Sequence, residues 1–263
     1  MLSMEHLLAE ARSNALPFVK KRAILREYLQ IIILHSIYQH KFGKLLFFMG
    51  GTAMRYFYQL PRFSEDLAFN TADLSYAQFE DISEAASRAI SKEGFSVSVA
   101  YERRGNLFTA KLLFEDVIEK YGITDQRGMS LMVKIEVNRP EWELITESKV
   151  LSMYGYNFTA VLMSQGNLLS EKLFALFHRK RGRDIYDTLF MLKREFPFNE
   201  NVLRANQVKL PIKETLLSYL KAMDQKELKR LAAQLKPFLF KEEEIELILK
   251  APLYGELFLK KYK

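Results

Sequence analysis

Two adjacent glycines, Gly50-Gly51, are followed by Thr52 at the point where an apolar run gives way to helical spacing. Glycines let the backbone approach a ligand closely, and the N–H groups that open a helix point outward at an anion. Residues 45–49, just before the pair, are typical of a buried strand. The turn is therefore a candidate phosphate site or an ordinary tight strand-to-helix turn, and the glycines alone do not decide between these.

A carboxylate follows on the next predicted strand, residues 64–70. Because side chains alternate between the two faces of a strand, Ser64, Asp66 and Ala68 share the face opposite Leu67 and Phe69. A carboxylate beside a phosphate-binding turn can hold Mg²⁺ against a triphosphate. The alternative is a half-buried edge strand with a polar outer face.

A second carboxylate lies on the predicted strand 131–138, where Lys134, Glu136 and Asn138 share one face. A glutamate on a central strand is costly unless it is paired or bound to a metal. Glu136 is therefore a candidate metal ligand or general base, with Lys134 as a neutralising neighbour. An ordinary Lys/Glu pair on a solvent-facing strand explains the same pattern.

Basic residues concentrate between positions 172 and 183, ahead of two acids. Lys172 and Arg179 are seven residues apart, so two helical turns place them on one face. Arg183 opens the next predicted helix, and Asp184 and Asp187 lie in its first turns, where carboxylates suit the helix dipole. The run is either a solvated helix face or a clamp on phosphates, since Arg binds phosphate bidentately and Lys binds it as a point charge.

Strand signals are confined to the first part of the chain and helical signals continue to its end. Strands are predicted at 45–49, 64–70, 95–101, 107–114 and 131–138, with an edge strand at 158–163. Helices are predicted at 17–38, 52–58, 75–92, 168–180, 183–194, 212–222, 225–235 and 241–250. The pattern predicts an α/β (α+β) domain over 1–165 and a helical domain over 166–263.

The composition excludes several classes of protein. The 263 residues include 39 Lys and Arg against 32 Asp and Glu, a net charge of +7 that favours a polyanionic ligand. The absence of cysteine excludes a disulfide framework, a thiolate zinc site and a cysteine nucleophile. There is no signal-peptide pattern and no apolar run of about 20 residues, so we expect a soluble, cytoplasmic protein without membrane contact.

Four motifs, taken together and in order, resemble the AbiEii/AbiGii family of nucleotidyltransferase-like toxins of type IV toxin–antitoxin systems, which are associated with abortive infection. The resemblance covers roughly residues 20–195. Its motifs are FMGGTAM at 48–54, LPRFSEDL at 60–67, KIEVN at 134–138, and EKL at 171–173 followed by Arg179 and RDIYD at 183–187. The helices after about residue 200 carry no matching motif.

The resemblance implies a DNA polymerase β-like fold, in which a mixed sheet with flanking helices is followed by a helical C-terminal domain. It implies a nucleoside triphosphate substrate, Mg²⁺ or Mn²⁺ as cofactor, an RNA acceptor such as the 3′ end of tRNA, and a winged-helix antitoxin as partner. By motif, the candidate catalytic residues are Asp66, Glu136 and Lys172, with Asp66 and Glu136 as metal ligands. The candidate nucleotide- and phosphate-binding residues are Gly50, Gly51, Thr52, Ser64, Arg179, Arg183, Asp184 and Asp187.

One position departs from the family pattern. The strand usually reads Asp-x-Asp, but the second acid is here Ala68. Two-metal phosphoryl transfer commonly uses a carboxylate shared between the ions. Two hypotheses therefore stand: a Mg²⁺-dependent nucleotidyltransferase, and a catalytically weakened or inactive protein of the same fold that binds nucleotide or RNA. A kinase would use similar chemistry, but the sequence has no P-loop and no kinase motif set.

Overall fold

The computed structural model describes residues 1–124 and 128–262. The strands are β1 (Phe47–Met49), β2 (Leu67–Asn70), β3 (Val97–Arg104), β4 (Leu107–Phe114), β5 (Leu131–Asn138), β6 (Thr146–Met153) and β7 (Tyr156–Met163). They form one mixed seven-stranded sheet in the order β3-β4-β5-β2-β1-β7-β6. The β2–β5 and β1–β7 pairs are parallel, and the β1–β2, β3–β4 and β4–β5 pairs are antiparallel.

The mixed α/β fold class is confirmed, and β5 has the bounds that the sequence predicts. Its odd-numbered side chains, Leu131 to Val137, are buried, as the alternation requires. The edge position predicted for 158–163 is wrong, because β7 lies between β1 and β6. Strand β6 was not predicted from the sequence, because only one of its eight side chains is buried and no apolar pattern marks it.

Five helices accompany the sheet: α1 (Met4–Ser13), α2 (Lys21–Gln39), α3 (Gly50–Tyr58), α4 (Tyr76–Lys92) and α5 (Val117–Lys120). Ser75 and Gln78 form a reciprocal capping box that fixes where α4 begins. The 19-residue α2 is largely buried and includes two buried polar side chains, Glu27 and Gln30. Buried polar groups require hydrogen-bond partners. The partners of Glu27 and Gln30 lie beside the candidate site described below.

The rest of the chain is helical. It contains α6 (Gln165–Arg179), α7 (Gly182–Lys193), α8 (Glu200–Ala205), α9 (Ile212–Lys221), α10 (Gln225–Leu235), α11 (Glu246–Leu249) and α12 (Ala251–Leu259). Most of α7 is buried. A Cβ on Gly182 would lie 2.1 Å from the carbonyl oxygen of Leu231. Only glycine therefore permits α10 to pack this closely against the first residue of α7.

The chain divides into two compact units. The first contains residues 1–58, 63–140 and 146–162, and the second contains residues 59–62, 141–145 and 163–263. Two short segments from the first part of the sequence thus belong to the helical unit. The assignment of two domains, 1–165 and 166–263, stays a prediction. Within the described residues, none of the helices combines the length and apolar character that crossing a bilayer requires.

Candidate functional site

In the first unit, Gly50, Ala68 and Glu136 are brought together by the pairing of three strands. Ala68 on β2 lies opposite Met49 on β1 and opposite Glu136 on β5. Gly50 follows Met49 directly and has a φ of +76°, a conformation that favours glycine. A Cβ at Gly50 would lie 3.3 Å from the Cβ of Ala68. We call the group of Gly50, Gly51, Asp66, Lys134 and Glu136 the sheet site.

The prediction that a strand begins at residue 64 is corrected, because β2 begins at Leu67. Ser64 and Asp66 lie in the segment just before it. Hydrogen bonds from side chains, instead of strand pairing, position the backbone of this segment. The buried amide of Gln30 donates to the carbonyl oxygens of Ser64 (3.1 Å) and Glu65 (2.9 Å), so α2 directly positions the approach to Asp66.

The hydroxyl of Thr52 donates to the carbonyl oxygen of Asp66 at 2.6 Å. Thr52 is 1% exposed, and this hydrogen bond links the first turn of α3 to the residue before β2. The contact between Thr52 and the triphosphate that was expected from the sequence stays a prediction. The structure adds that its hydroxyl supports the backbone that presents the Asp66 carboxylate.

A buried polar network lies behind this segment. Tyr56 donates its hydroxyl to the amide oxygen of Gln30 at 2.7 Å, and Arg55 pairs with Glu27 at 2.8 Å. Burial raises the pKa of the Glu27 carboxyl, although Arg55 opposes the shift. A role for Gln30 was not predicted from the sequence. The available signal was a polar residue directly before the apolar run 31–34, because a buried polar side chain is costly unless it is hydrogen-bonded.

The two candidate metal ligands are bridged by a lysine. The Lys134 Nζ atom lies 3.0 Å from Glu136 Oε1 and 3.6 Å from Asp66 Oδ2. The three side chains are 26%, 33% and 37% exposed in the order Lys134, Glu136, Asp66. Burial alone would lower the pKa of the Lys134 ammonium, but the two carboxylates outweigh it and the pKa is raised. A positive charge therefore already lies between the acids.

Asp66 and Glu136 are suited to hold one metal ion. Mg²⁺ is usually bound by one or two carboxylates, and water and substrate phosphates complete its coordination. Two carboxylates on one face fit that description for a single ion. The site is less suited to a second metal ion, because Ala68 stands where a shared carboxylate would be. Residues 1–124 and 128–262 also contain no cluster of three or more His, Asp or Glu side chains arranged to hold a metal.

In the second unit, Lys172, Asp184 and Asp187 meet with Arg62 in what we call the helical cluster. Arg62 and Asp187 are 2% and 0% exposed. Their bidentate ion pair has distances of 2.7 Å from Nε to Oδ1 and 2.6 Å from Nη2 to Oδ2. The Lys172 Nζ atom lies 2.9 Å from Asp187 Oδ2 and 3.2 Å from Asp184 Oδ1. No role for Arg62 was predicted from the sequence, where it lies far from the other three residues of the cluster.

Burial alone would raise the pKa of the Asp187 carboxyl, but Arg62 and Lys172 outweigh it and hold the pKa below its ordinary value. Asp187 is thus a buried carboxylate with two cationic partners. The Asp184 Oδ2 atom is also buried and has no hydrogen-bond partner in the part of the chain that the structure describes. The proposed roles of Lys172 in catalysis and of both acids in nucleotide binding stay predictions.

The remaining predicted phosphate ligands lie where α6 ends and α7 begins. Arg179 is exposed, and the Arg183 guanidinium lies 4.9 Å from the centre of the Phe238 ring. A cavity of about 290 Å³ opens here, lined by Arg181, Gly182, Arg183, Gln234 and Phe238. Two arginines and no carboxylate line it, so it suits an anion.

Comparison with solved structures supports the fold. Three solved structures resemble the chain, each with a TM-score of 0.58. Two are from Helicobacter pylori: JHP933, with 18% identity over 91% of this chain and 92% of that chain, and a putative nucleotidyltransferase, with 19% identity over 91% of this chain and 95% of that chain. The third is MenT4, a nucleotidyltransferase toxin from Mycobacterium tuberculosis, with 15% identity over 98% of this chain and 94% of that chain. At these identities the likeness shows the fold alone. A comparison with curated proteins finds no significant match.

The family is shown by the sequence itself. A family model described as "Nucleotidyl transferase AbiEii toxin, Type IV TA system" matches residues 32–250, which include both the sheet site and the helical cluster. That range extends beyond the motifs to the helices after residue 200, for which the sequence analysis had no match. The chain therefore belongs to the AbiEii family of nucleotidyltransferase toxins of type IV toxin–antitoxin systems.

Proposed function

We propose that this protein transfers a nucleoside monophosphate from a nucleoside triphosphate to a hydroxyl group of RNA, with tRNA as the acceptor and Mg²⁺ or Mn²⁺ as cofactor. The observation that carries the proposal is the position of Asp66 and Glu136, on the exposed side of neighbouring backbone segments, next to the Gly50 turn. A carboxylate pair beside a glycine turn suits a metal-bound triphosphate.

Four residues of the sheet site, Gly50, Gly51, Asp66 and Glu136, have a part in the proposed reaction. Gly50 and Gly51 let the phosphates approach the backbone at the first turn of α3. Asp66 and Glu136 would hold the metal ion. When bound there, the ion would neutralise part of the phosphate charge. The acceptor oxygen forms a bond to the α-phosphorus, the bond between that phosphorus and the α,β-bridging oxygen breaks, and pyrophosphate leaves. Glu136 is the candidate to accept the hydroxyl proton.

The basic segment at the end of α6 and the start of α7 supports an RNA acceptor. Arg179, Lys180 and Arg181 are exposed, and the neighbouring cavity contains arginine side chains without an acid. Arginine and lysine are the residues that contact nucleic-acid phosphates, and such contacts make binding weaken steeply with salt. Family membership further implies an antitoxin partner. That this partner is a winged-helix protein, and that the pair acts in the cytoplasm, is part of the proposal.

The test is a transfer assay. The protein is incubated with bulk tRNA and each labelled ribonucleoside triphosphate in turn, with Mg²⁺, with Mn²⁺ or with EDTA. We expect label on RNA with a divalent ion and none with EDTA. The mass of the product should increase by a nucleotide residue, since an increase by phosphate alone would show a kinase. Absence of label with all four nucleotides and both ions would contradict the proposal.

The missing acid supports a second candidate, a protein that binds nucleotide or RNA with weakened or absent catalysis. We predict that Ala68→Asp raises transfer by about tenfold or more if the rest of the site is intact, because it places a carboxylate directly opposite Glu136. The measurement is the initial rate of label transfer, with Ala72→Asp on an exposed position as the matched control. If the wild type transfers nothing while binding triphosphate and the Ala68→Asp variant transfers, the second candidate is correct.

A further inference from the structure

Lys134 has no part in the proposed reaction, although it is the first residue of the motif KIEVN that contains Glu136. It is two residues from Glu136 on β5, so the two side chains share one face. Pairing of β5 with β4 on one side and with β2 on the other fixes its backbone. Its ammonium lies between Asp66 and Glu136, at the point where a cation bound by both acids would lie.

The electrostatics of the site connect Lys134 with the loss of the acid at position 68. Three carboxylates together with two divalent ions have a net charge of +1. A site with Asp66, Glu136, Lys134 and one divalent ion also has a net charge of +1. The attraction for a polyanionic triphosphate is therefore retained with one metal ion fewer, provided that the Lys134 charge takes part.

We infer that Lys134 is a built-in cation that takes the place of a second metal ion, so that its ammonium meets the phosphates of a nucleoside triphosphate with at most one divalent ion present. The inference rests on the proposed function, because it requires the sheet site to receive a triphosphate. Lysine binds phosphate as a point charge from a flexible stem. Its stem would allow the ammonium to move from the carboxylates to a phosphate oxygen.

Substitution of Lys134 should change two affinities in opposite directions. Lys134→Gln removes the cation that lies between the two carboxylates, so we expect Mn²⁺ to bind the nucleotide-free protein about tenfold more tightly, measured by electron paramagnetic resonance. The same variant should bind ribonucleoside triphosphates in EDTA about tenfold more weakly, measured by calorimetry with each of the four. Tenfold is the low end for the loss of one charge-assisted hydrogen bond.

Two further variants complete the experiment. Lys111→Gln is the matched control, because Lys111 lies directly opposite Lys134 on β4 but is paired with Glu102. We expect it to change neither affinity. Lys134→Arg retains a cation and should keep the affinity for triphosphate in EDTA within about threefold of the wild type.

The outcomes separate the inference from the proposed function. Triphosphate binding in EDTA that is unchanged in Lys134→Gln, or equally reduced in Lys111→Gln, would overturn the inference and leave the proposed transfer reaction standing. Mn²⁺ affinity that does not rise in Lys134→Gln would also overturn it. Absence of triphosphate binding by the wild type, with Mg²⁺ and with EDTA, would overturn the proposed function and the inference together.

Discussion

Asp66→Asn should reduce nucleotide transfer to RNA by on the order of 100-fold or more, because it removes the charge of one of the two proposed metal ligands. The backbone carbonyl that Thr52 contacts is unchanged by the substitution, and the side chain keeps its shape. The fold should therefore be retained. The measurement is the initial rate of label transfer at saturating Mg²⁺, together with the midpoint of thermal unfolding.

The matched control is Asp73→Asn, which removes the same charge at an exposed position in the same unit. We expect it to transfer at the wild-type rate. A transfer rate in Asp66→Asn within about threefold of the wild type would exclude a central role for Asp66. An equally low transfer rate in Asp66→Asn and Asp73→Asn would show that the loss of negative charge in general, and not the loss of a metal ligand, lowers the rate.

Arg62→Met should destabilise the folded protein by about 3 kcal/mol, toward the lower end of the range for a broken buried ion pair. The substitution leaves the fully buried Asp187 carboxylate without its bidentate partner. Lys172, at 2.9 Å, still compensates part of its charge, which is why we do not expect the full loss. The measurement is the free energy of unfolding in urea, followed by circular dichroism.

The effect of Arg62→Met should depend on pH in a defined direction. The folded-state pKa of Asp187 lies below its ordinary value of 3.8. The ion pairs of Asp187 therefore stabilise the fold fully at a pH above 3.8. This stabilisation is lost as the pH falls through the folded-state pKa. The difference in unfolding free energy between wild type and variant should therefore be largest near neutral pH and should narrow below about pH 4.

Arg204→Met is the control for Arg62→Met. Arg204 pairs with Glu200 one helical turn away, and both side chains are more than 60% exposed. Exposed pairs of this kind contribute about 0.5 kcal/mol or less. If Arg62→Met costs no more than this control, the buried pair does not stabilise the second unit, and its retention would need a functional explanation.

Local sequence patterns were sufficient for the parts of the site that depend on spacing along one strand or turn. The alternation of β5 predicted that Lys134 and Glu136 share a face, and two glycines after an apolar run predicted the turn that opens α3. The order of four motifs predicted the family, which the family model confirms over residues 32–250. The first two of these conclusions depend on neighbours within a few residues, where backbone geometry relates sequence directly to structure.

The contacts between distant segments were beyond such patterns. Gln30 supports the segment before Asp66 from 34 residues away, and Arg62 pairs with Asp187 across 125 residues. Nothing in the local spacing of Arg62 distinguishes a buried ion-pair partner from an exposed loop residue. The position of β7 inside the sheet was likewise undetermined, because strand order follows from the packing of the whole sheet and not from the pattern of one strand.

By itself, the sequence determined the chemical types available to this protein: glycines for a close turn, one carboxylate on a strand and one just before a strand, a basic helical segment, and an alanine in place of a third acid. The tertiary structure decided which of these charges meet. It placed Lys134 between Asp66 and Glu136 and enclosed Asp187 between Arg62 and Lys172. The physical reason is that charge pairing acts through distances of a few ångströms in space, and only the folded chain sets those distances between residues that are far apart in sequence.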